Sequence, residues 1–107
     1  KKELLFYPWD ENPLTKDSEG ILSPNNSFSL SHKEISLILV PCLSLDKNLI
    51  RLGYGGGYFD KLRSDKNWSN LPCIGILTSN CLSTYPLTRA EWDIPLSGYI
   101  TEKEIFV

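Results

Sequence analysis

Apolar and polar positions set out a short series of elements along this chain. Ile35 to Val40 (ISLILV) is nearly all apolar with β-branched residues and stops at Pro41, the pattern of a central strand covered on both faces. Cys73 to Thr78 (CIGILT), after Pro72, reads as a second strand, and Tyr58 to Ser64 between them has helical spacing. Strand, loop, helix, strand is a βαβ unit. Tyr99 to Thr101 predicts a further strand, with Glu104 to Val107 as an extended end. Glu3 to Tyr7 (ELLFY), closed by Pro8, is too brief for helical periodicity and predicts a strand. Trp9 to Ser31 is rich in Pro, Asn, Ser, Asp and Gly and reads as a long loop with at most one short strand near Gly20-Ile21-Leu22. Ser31 to Glu34 (SHKE) also fits a capping box for a single helical turn. The whole predicts one α/β domain over residues 1–107, built around a mainly parallel sheet.

Composition narrows the function classes. With 41% hydrophobic and 22% charged residues the chain has the make-up of a folded globular protein. A formal net charge of −2 gives none of the positive field that a nucleic-acid backbone selects, so a nucleic-acid partner is not expected. No apolar run approaches the roughly 18 to 20 residues that cross a bilayer, and KKELLFYPWD has too short an apolar stretch for a signal peptide. A cytoplasmic protein with no membrane partner is expected. Cys42, Cys73 and Cys81 have no C-x-x-C spacing and read as reduced, part-buried thiols rather than a zinc site or a disulfide framework. The sole histidine, His32, sits in a polar context and reads as solvated, while Trp9, Trp68 and Trp92 read as packing residues.

The chemistry concentrates in IRLGYGGGYFDKL, residues 50 to 62, which holds four of the seven glycines. In a βαβ unit the loop entering the helix gathers backbone N–H groups, and glycines there let an anion approach without a Cβ in the way. Gly53, Gly55, Gly56 and Gly57, flanked by Arg51 and Asp60, therefore suit a phosphate site; the plainer alternative is a tight turn. Familiar fingerprints do not fit. A G-x-G-x-x-G begun at Gly53 puts Tyr58 where the last glycine belongs, and no G-x-x-x-x-G-K-[ST] occurs. The aromatics do not make an RNA-binding motif either, for want of strand alternation and a basic surface.

RLGYGGGYFDKL resembles the signature of the 5-formyltetrahydrofolate cyclo-ligase (5,10-methenyltetrahydrofolate synthetase) family, R-x-G-x-G-x-G-Y-Y-D-R, with Arg51, Gly53, Gly55, Gly57, Tyr58 and Asp60 in register. ILVPCLSLD (Ile38 to Asp46) is similar to the family's strand, proline and A-F-D segment. LPCIGIL and PLTRAEWDIPLSGYITE (Pro86 to Glu102) are similar to its closing region. Phe59 stands where the family has a second tyrosine, Trp92 where histidine often precedes the aspartate, and Ser36 where an aspartate often opens the strand. The likeness is to the C-terminal part of the family. It implies a three-layer α/β/α fold lacking the family's N-terminal half, so that a missing N-terminal segment or a second chain is the implied partner. A fragment, a truncated product and one piece of a two-chain protein remain open alternatives.

The activity the resemblance implies is the ATP- and Mg²⁺-dependent cyclisation of 5-formyltetrahydrofolate to 5,10-methenyltetrahydrofolate, a ligase reaction of folate one-carbon metabolism, through a phosphorylated formyl group. Carried over residue by residue, Arg51, Leu52, Gly53, Tyr54, Gly55, Gly56, Gly57, Tyr58 and Phe59 would bind ATP. Tyr54, Gly55, Gly56, Gly57 and Tyr58 would also meet the folate, with Arg51 and Tyr58 in the catalytic roles. Asp60 and Asp93 would hold Mg²⁺, as hard carboxylates suit that ion. The plainer alternatives are a carboxylate in a helix's first turn for Asp60 and a loop aspartate before Pro95 for Asp93. A non-catalytic nucleotide- or folate-binding module derived from the family is the alternative to an enzyme.

Overall fold

A computed structural model of the chain describes residues 4–8, 13–16, 20, 22–24, 28–52, 58–87 and 94–107. In chain order the elements are β1 (Thr15–Lys16), β2 (Leu22–Ser23), β3 (Ile38–Pro41), β4 (Ser44–Leu45), β5 (Arg51–Leu52), α1 (Tyr58–Ser64), β6 (Cys73–Ile76), β7 (Gly98–Ile100) and β8 (Ile105–Phe106). Single 3-10 turns occupy His32–Glu34 and Ser79–Cys81.

Four strands make the main sheet in the order β3-β6-β7-β8. β3 pairs parallel with β6, β6 parallel with β7, and β7 antiparallel with β8, so the sheet is mixed. The βαβ unit is present, and α1 spans the predicted Tyr58 to Ser64. Its Leu62 enters a core with Ile38, Val40, Cys42, Leu45, Cys73, Leu77 and Leu96. Paired strand residues share a face, so Ile38 and Cys73 turn toward Leu62 and define the covered side of the sheet.

β3 is not the expected central strand. Among the described residues it lies at the sheet edge, and its burial alternates, with Ile38 and Val40 inside and Leu39 and Pro41 outside. The apolar run misled because a strand covered on both faces and one with a bare apolar face read alike. α1 is the only α-helix among the described residues, so the second helical layer of the predicted three-layer fold is not seen there. Leu4 to Pro8 forms no strand either. Phe6 accepts a 2.6 Å hydrogen bond from the Leu30 N–H, and its ring lies 5.2 Å from that of Trp68. The segment is held by side-chain packing rather than by a ladder.

Within Trp9 to Ser31 two short strands appear instead of one. β1 and β2 pair antiparallel, Thr15 opposite Ser23 and Lys16 opposite Leu22. The predicted single turn at SHKE forms, with the Ser31 N–H donating to Glu34 Oε2 at 2.8 Å. His32 is half-buried rather than solvated, edge-on to Trp68 at 6.1 Å. Trp68 is thus a packing residue as expected; Trp9 and Trp92 lie outside the described residues. All three cysteines are free thiols. Burial pushes the Cys42 and Cys73 thiols up, against the opposing charges of Arg51 and Arg63 respectively.

The chain end is seated over Gly98. A Cβ there would meet the carbonyl oxygen of Phe106 and, at 2.9 Å, the Cα of Val107, both backbone atoms with little room to yield. Gly98→Ala is therefore expected to lift β8 from β7 and to cost about 1 to 3 kcal/mol. Urea unfolding followed by tryptophan fluorescence measures it; an unchanged midpoint would mean that β8 contributes nothing to stability.

Candidate active site

The candidate site is built on two elements that the apolar pattern did not show, a hairpin and the turn that closes it. β4 and β5 pair antiparallel, Ser44 opposite Leu52 and Leu45 opposite Arg51. Their three-residue loop, Lys47 to Leu49, puts Leu49 at φ 63°, where an L side chain is disfavoured by roughly 1 to 2 kcal/mol. Such a conformation persists only where its surroundings fix it, and here Asp46 does so. Its carboxylate is buried, with Oδ1 accepting from the N–H groups of Asn48 (2.9 Å) and Ile50 (3.0 Å). The Leu49 N–H donates to the Asp46 carbonyl at 3.0 Å.

The same turn reaches the closing region. Asp46 Oδ2 accepts from the Leu87 N–H at 2.8 Å, and the Leu96 N–H donates to the Leu49 carbonyl at 2.9 Å. Arg63 on α1 donates from Nη2 to the Pro95 carbonyl at 3.2 Å. The described flanks on both sides of the segment carrying Asp93 are therefore tied to the hairpin turn, and one of them to α1 as well. On its other side the hairpin is fixed by Ser44, whose hydroxyl donates to the Cys81 carbonyl at 2.8 Å, and by the Ser83 N–H donating to the Leu45 carbonyl at 2.8 Å.

Arg51 leaves this hairpin and meets the helix. Its guanidinium carbon lies 4.4 Å from the centre of the Phe59 ring, within cation–π range, and Arg63 approaches the same ring at 5.8 Å. Phe59, the residue that departs from the tyrosine of the family signature, is thus a platform for a cation. Arg51 Nε is buried without a hydrogen-bond partner, and so are Nε and Nη1 of Arg63. Two arginines with unpartnered N–H groups against one aromatic ring make this a place that can receive an anion.

Arg51 and Leu52 form β5, Arg51 half-buried and Leu52 exposed; Phe59 and Asp60 are half-buried in the first turn of α1. Tyr58 opens α1. Gly53, Tyr54, Gly55, Gly56, Gly57 and Asp93 lie outside the described residues. Asp60 supplies the hard oxygen donor type that Mg²⁺ takes, and no group of three metal-ligating side chains converges among the described residues. Sequence reasoning missed Asp46 as the organiser and Arg63 as the second cation. D-K-N between Leu45 and the apolar pair Leu49-Ile50 was a turn signal, and Phe59 and Arg63 stand four apart on one helix face.

Comparison with known proteins bears on this geometry. Residues 2–102 match the sequence pattern of the 5-formyltetrahydrofolate cyclo-ligase family. The chain is 33% identical over 100 residues to the 5-formyltetrahydrofolate cyclo-ligase of Haemophilus influenzae, covering 90% of this chain and 52% of that protein. It is 29% identical over 106 residues to the Escherichia coli K12 protein of the same name, covering 96% of this chain and 56% of the relative. Among solved structures it superposes on the 5,10-methenyltetrahydrofolate synthetase of Aquifex aeolicus with a TM-score of 0.71 and 28% identity, over 91% of this chain and 48% of the other. The Mycoplasma pneumoniae 5,10-methenyltetrahydrofolate synthetase gives 0.60 and 27%, over 78% and 49%. The chain spans about half the length of the relatives it matches. With a matching pattern over nearly its full length and the same fold in two synthetases, this chain belongs to the 5-formyltetrahydrofolate cyclo-ligase family.

Proposed function

We propose that the chain supplies the nucleotide loop of an ATP- and Mg²⁺-dependent 5-formyltetrahydrofolate cyclo-ligase. The observation that carries this reading is Arg51 at the entrance to the glycine stretch, stacked on Phe59 with a buried, unpartnered Nε. An unpaired buried guanidinium N–H is costly to leave without an acceptor, and a phosphate oxygen is the acceptor that fits.

In the reaction proposed, the formyl oxygen attacks the γ-phosphorus of ATP and ADP departs. N10 of the folate then attacks the activated formyl carbon and loses its proton. The carbon–oxygen bond breaks and phosphate leaves, closing the methenyl ring. The leaving group is made good by phosphorylation, so the protein's work is positioning and charge neutralisation. Arg51 binds phosphate oxygens, the amides of residues 52 to 59 cradle the triphosphate, and Tyr54, Tyr58 and the glycines from Gly55 to Gly57 meet the formyl end of the folate. Asp60 and Asp93 hold Mg²⁺, which supplies positive charge against the phosphates when bound.

The half-length match supports a second reading, a nucleotide- or folate-binding module without turnover. Both readings share the nucleotide site and are tested together by calorimetric titration with ATP and Mg²⁺. Arg51→Ala is expected to weaken binding roughly 10- to 100-fold, the worth of one or two charge-assisted hydrogen bonds. Equal binding by the variant would remove Arg51 from the site.

A further inference from the structure

Arg63 is a cation placed where folding alone would not place one. Its side chain is buried, only 6% exposed. Nη2 donates to the Pro95 carbonyl at 3.2 Å, while Nε and Nη1 are buried without a hydrogen-bond partner, so among the described residues no carboxylate pairs with the guanidinium. The neighbouring Cys73 thiol, pushed up by burial, stays neutral and supplies no counter-charge. A buried and unpaired guanidinium costs stability, and chains depart from that rule chiefly at sites that serve function. Arg63 also shares a ring with Arg51. Its guanidinium carbon lies 5.8 Å from the centre of Phe59, and that of Arg51 lies 4.4 Å from the same centre. Phe59 and Arg63 belong to α1 and Arg51 to β5, so one ring joins the helix to the hairpin.

We propose that Arg63 is a positioning residue for phosphate recognition, holding the Phe59 ring as the platform on which the Arg51 guanidinium is presented to the anion. The role rests on the nucleotide reading above and deepens it. Burial decides which arginine does what. Arg51 is half-buried and still partly open to a ligand, whereas Arg63 is almost fully covered and tied back to Pro95. Arg63 therefore acts through the ring and through its uncompensated charge, which a protein interior screens weakly. Two cations against one ring repel each other until an anion arrives, so the pair is more favourable with phosphate bound than without it.

The test is a double-mutant cycle on ATP binding with Mg²⁺ present, read by calorimetry and, for the weaker variants, by ligand-observed NMR. Arg63→Met keeps the length of the side chain and removes its charge. It is expected to weaken ATP binding about tenfold in the parent but less than about twofold in the Arg51→Ala background, because its effect passes through Arg51. Arg63→Lys restores the cation and should bind within about threefold of the parent. A purely structural role would lower the urea midpoint and weaken binding equally in both backgrounds, and that result overturns the proposal, as does Arg63→Lys binding as weakly as Arg63→Met. Should Arg63→Met not fold, Phe59→Leu, which removes the shared ring and leaves both arginines, carries the same cycle with the same expectations. ATP binding by the parent that is indifferent to these substitutions removes this proposal alone. A parent chain that binds no ATP removes the nucleotide reading and this proposal with it.

Discussion

Asp46→Ala is expected to lower stability by about 3 to 5 kcal/mol, a large share of the roughly 5 to 15 kcal/mol that holds a small domain together. Three N–H groups, of Asn48, Ile50 and Leu87, lose a charged acceptor at once, and the Ile50 donor is buried. Leu49 would also lose the support that keeps it at positive φ. Asp46→Asn separates the contributions. Its carbonyl oxygen can still accept from Asn48 and Ile50, while its amide group would face the Leu87 N–H donor to donor, so about half the loss is expected. Urea unfolding of both variants measures this. Equal stability of Asp46→Ala and the parent would show that the turn is held without its carboxylate.

How far the sequence reveals such a residue depends on what kind of signal it leaves. α1 was legible to the residue, because Tyr58 to Ser64 carries the helical period and follows a breaker. β6 and β7 were found to within two residues from their apolar, β-branched character. The one-sided burial of β3 was not legible, since an exposed apolar face and a covered one have the same residues. β1, β2, β4 and β5 are two residues long, too short for any period, and only turn chemistry marks them. Arg51 and Asp60 were visible as the charged flanks of the glycine stretch, and again through the family signature. Their neighbours Asp46 and Arg63 act through backbone groups far along the chain, Leu87 and Pro95, and such pairings have no trace in a local pattern.

The second large effect is on chemistry rather than on folding. Asp60→Ala is expected to reduce methenyl formation on the order of a thousandfold, the scale on which transition-state electrostatics act. Stability should change little. Asp60 is half-buried in the first turn of α1, where a carboxylate contributes only about 0.3 to 1 kcal/mol through the helix dipole. The two magnitudes discriminate between a Mg²⁺ ligand and a plain first-turn aspartate. A variant that loses about 1 kcal/mol and keeps its turnover would identify the plain aspartate.

Turnover decides whether the glycine loop between Arg51 and Asp60 serves ATP-driven ring closure. The purified chain is mixed with 5-formyltetrahydrofolate, ATP and Mg²⁺, and the methenyl product is followed by its absorbance. Product that needs both ATP and Mg²⁺ is the predicted result. No product while ATP is bound would contradict it and leave a binding module of the same family.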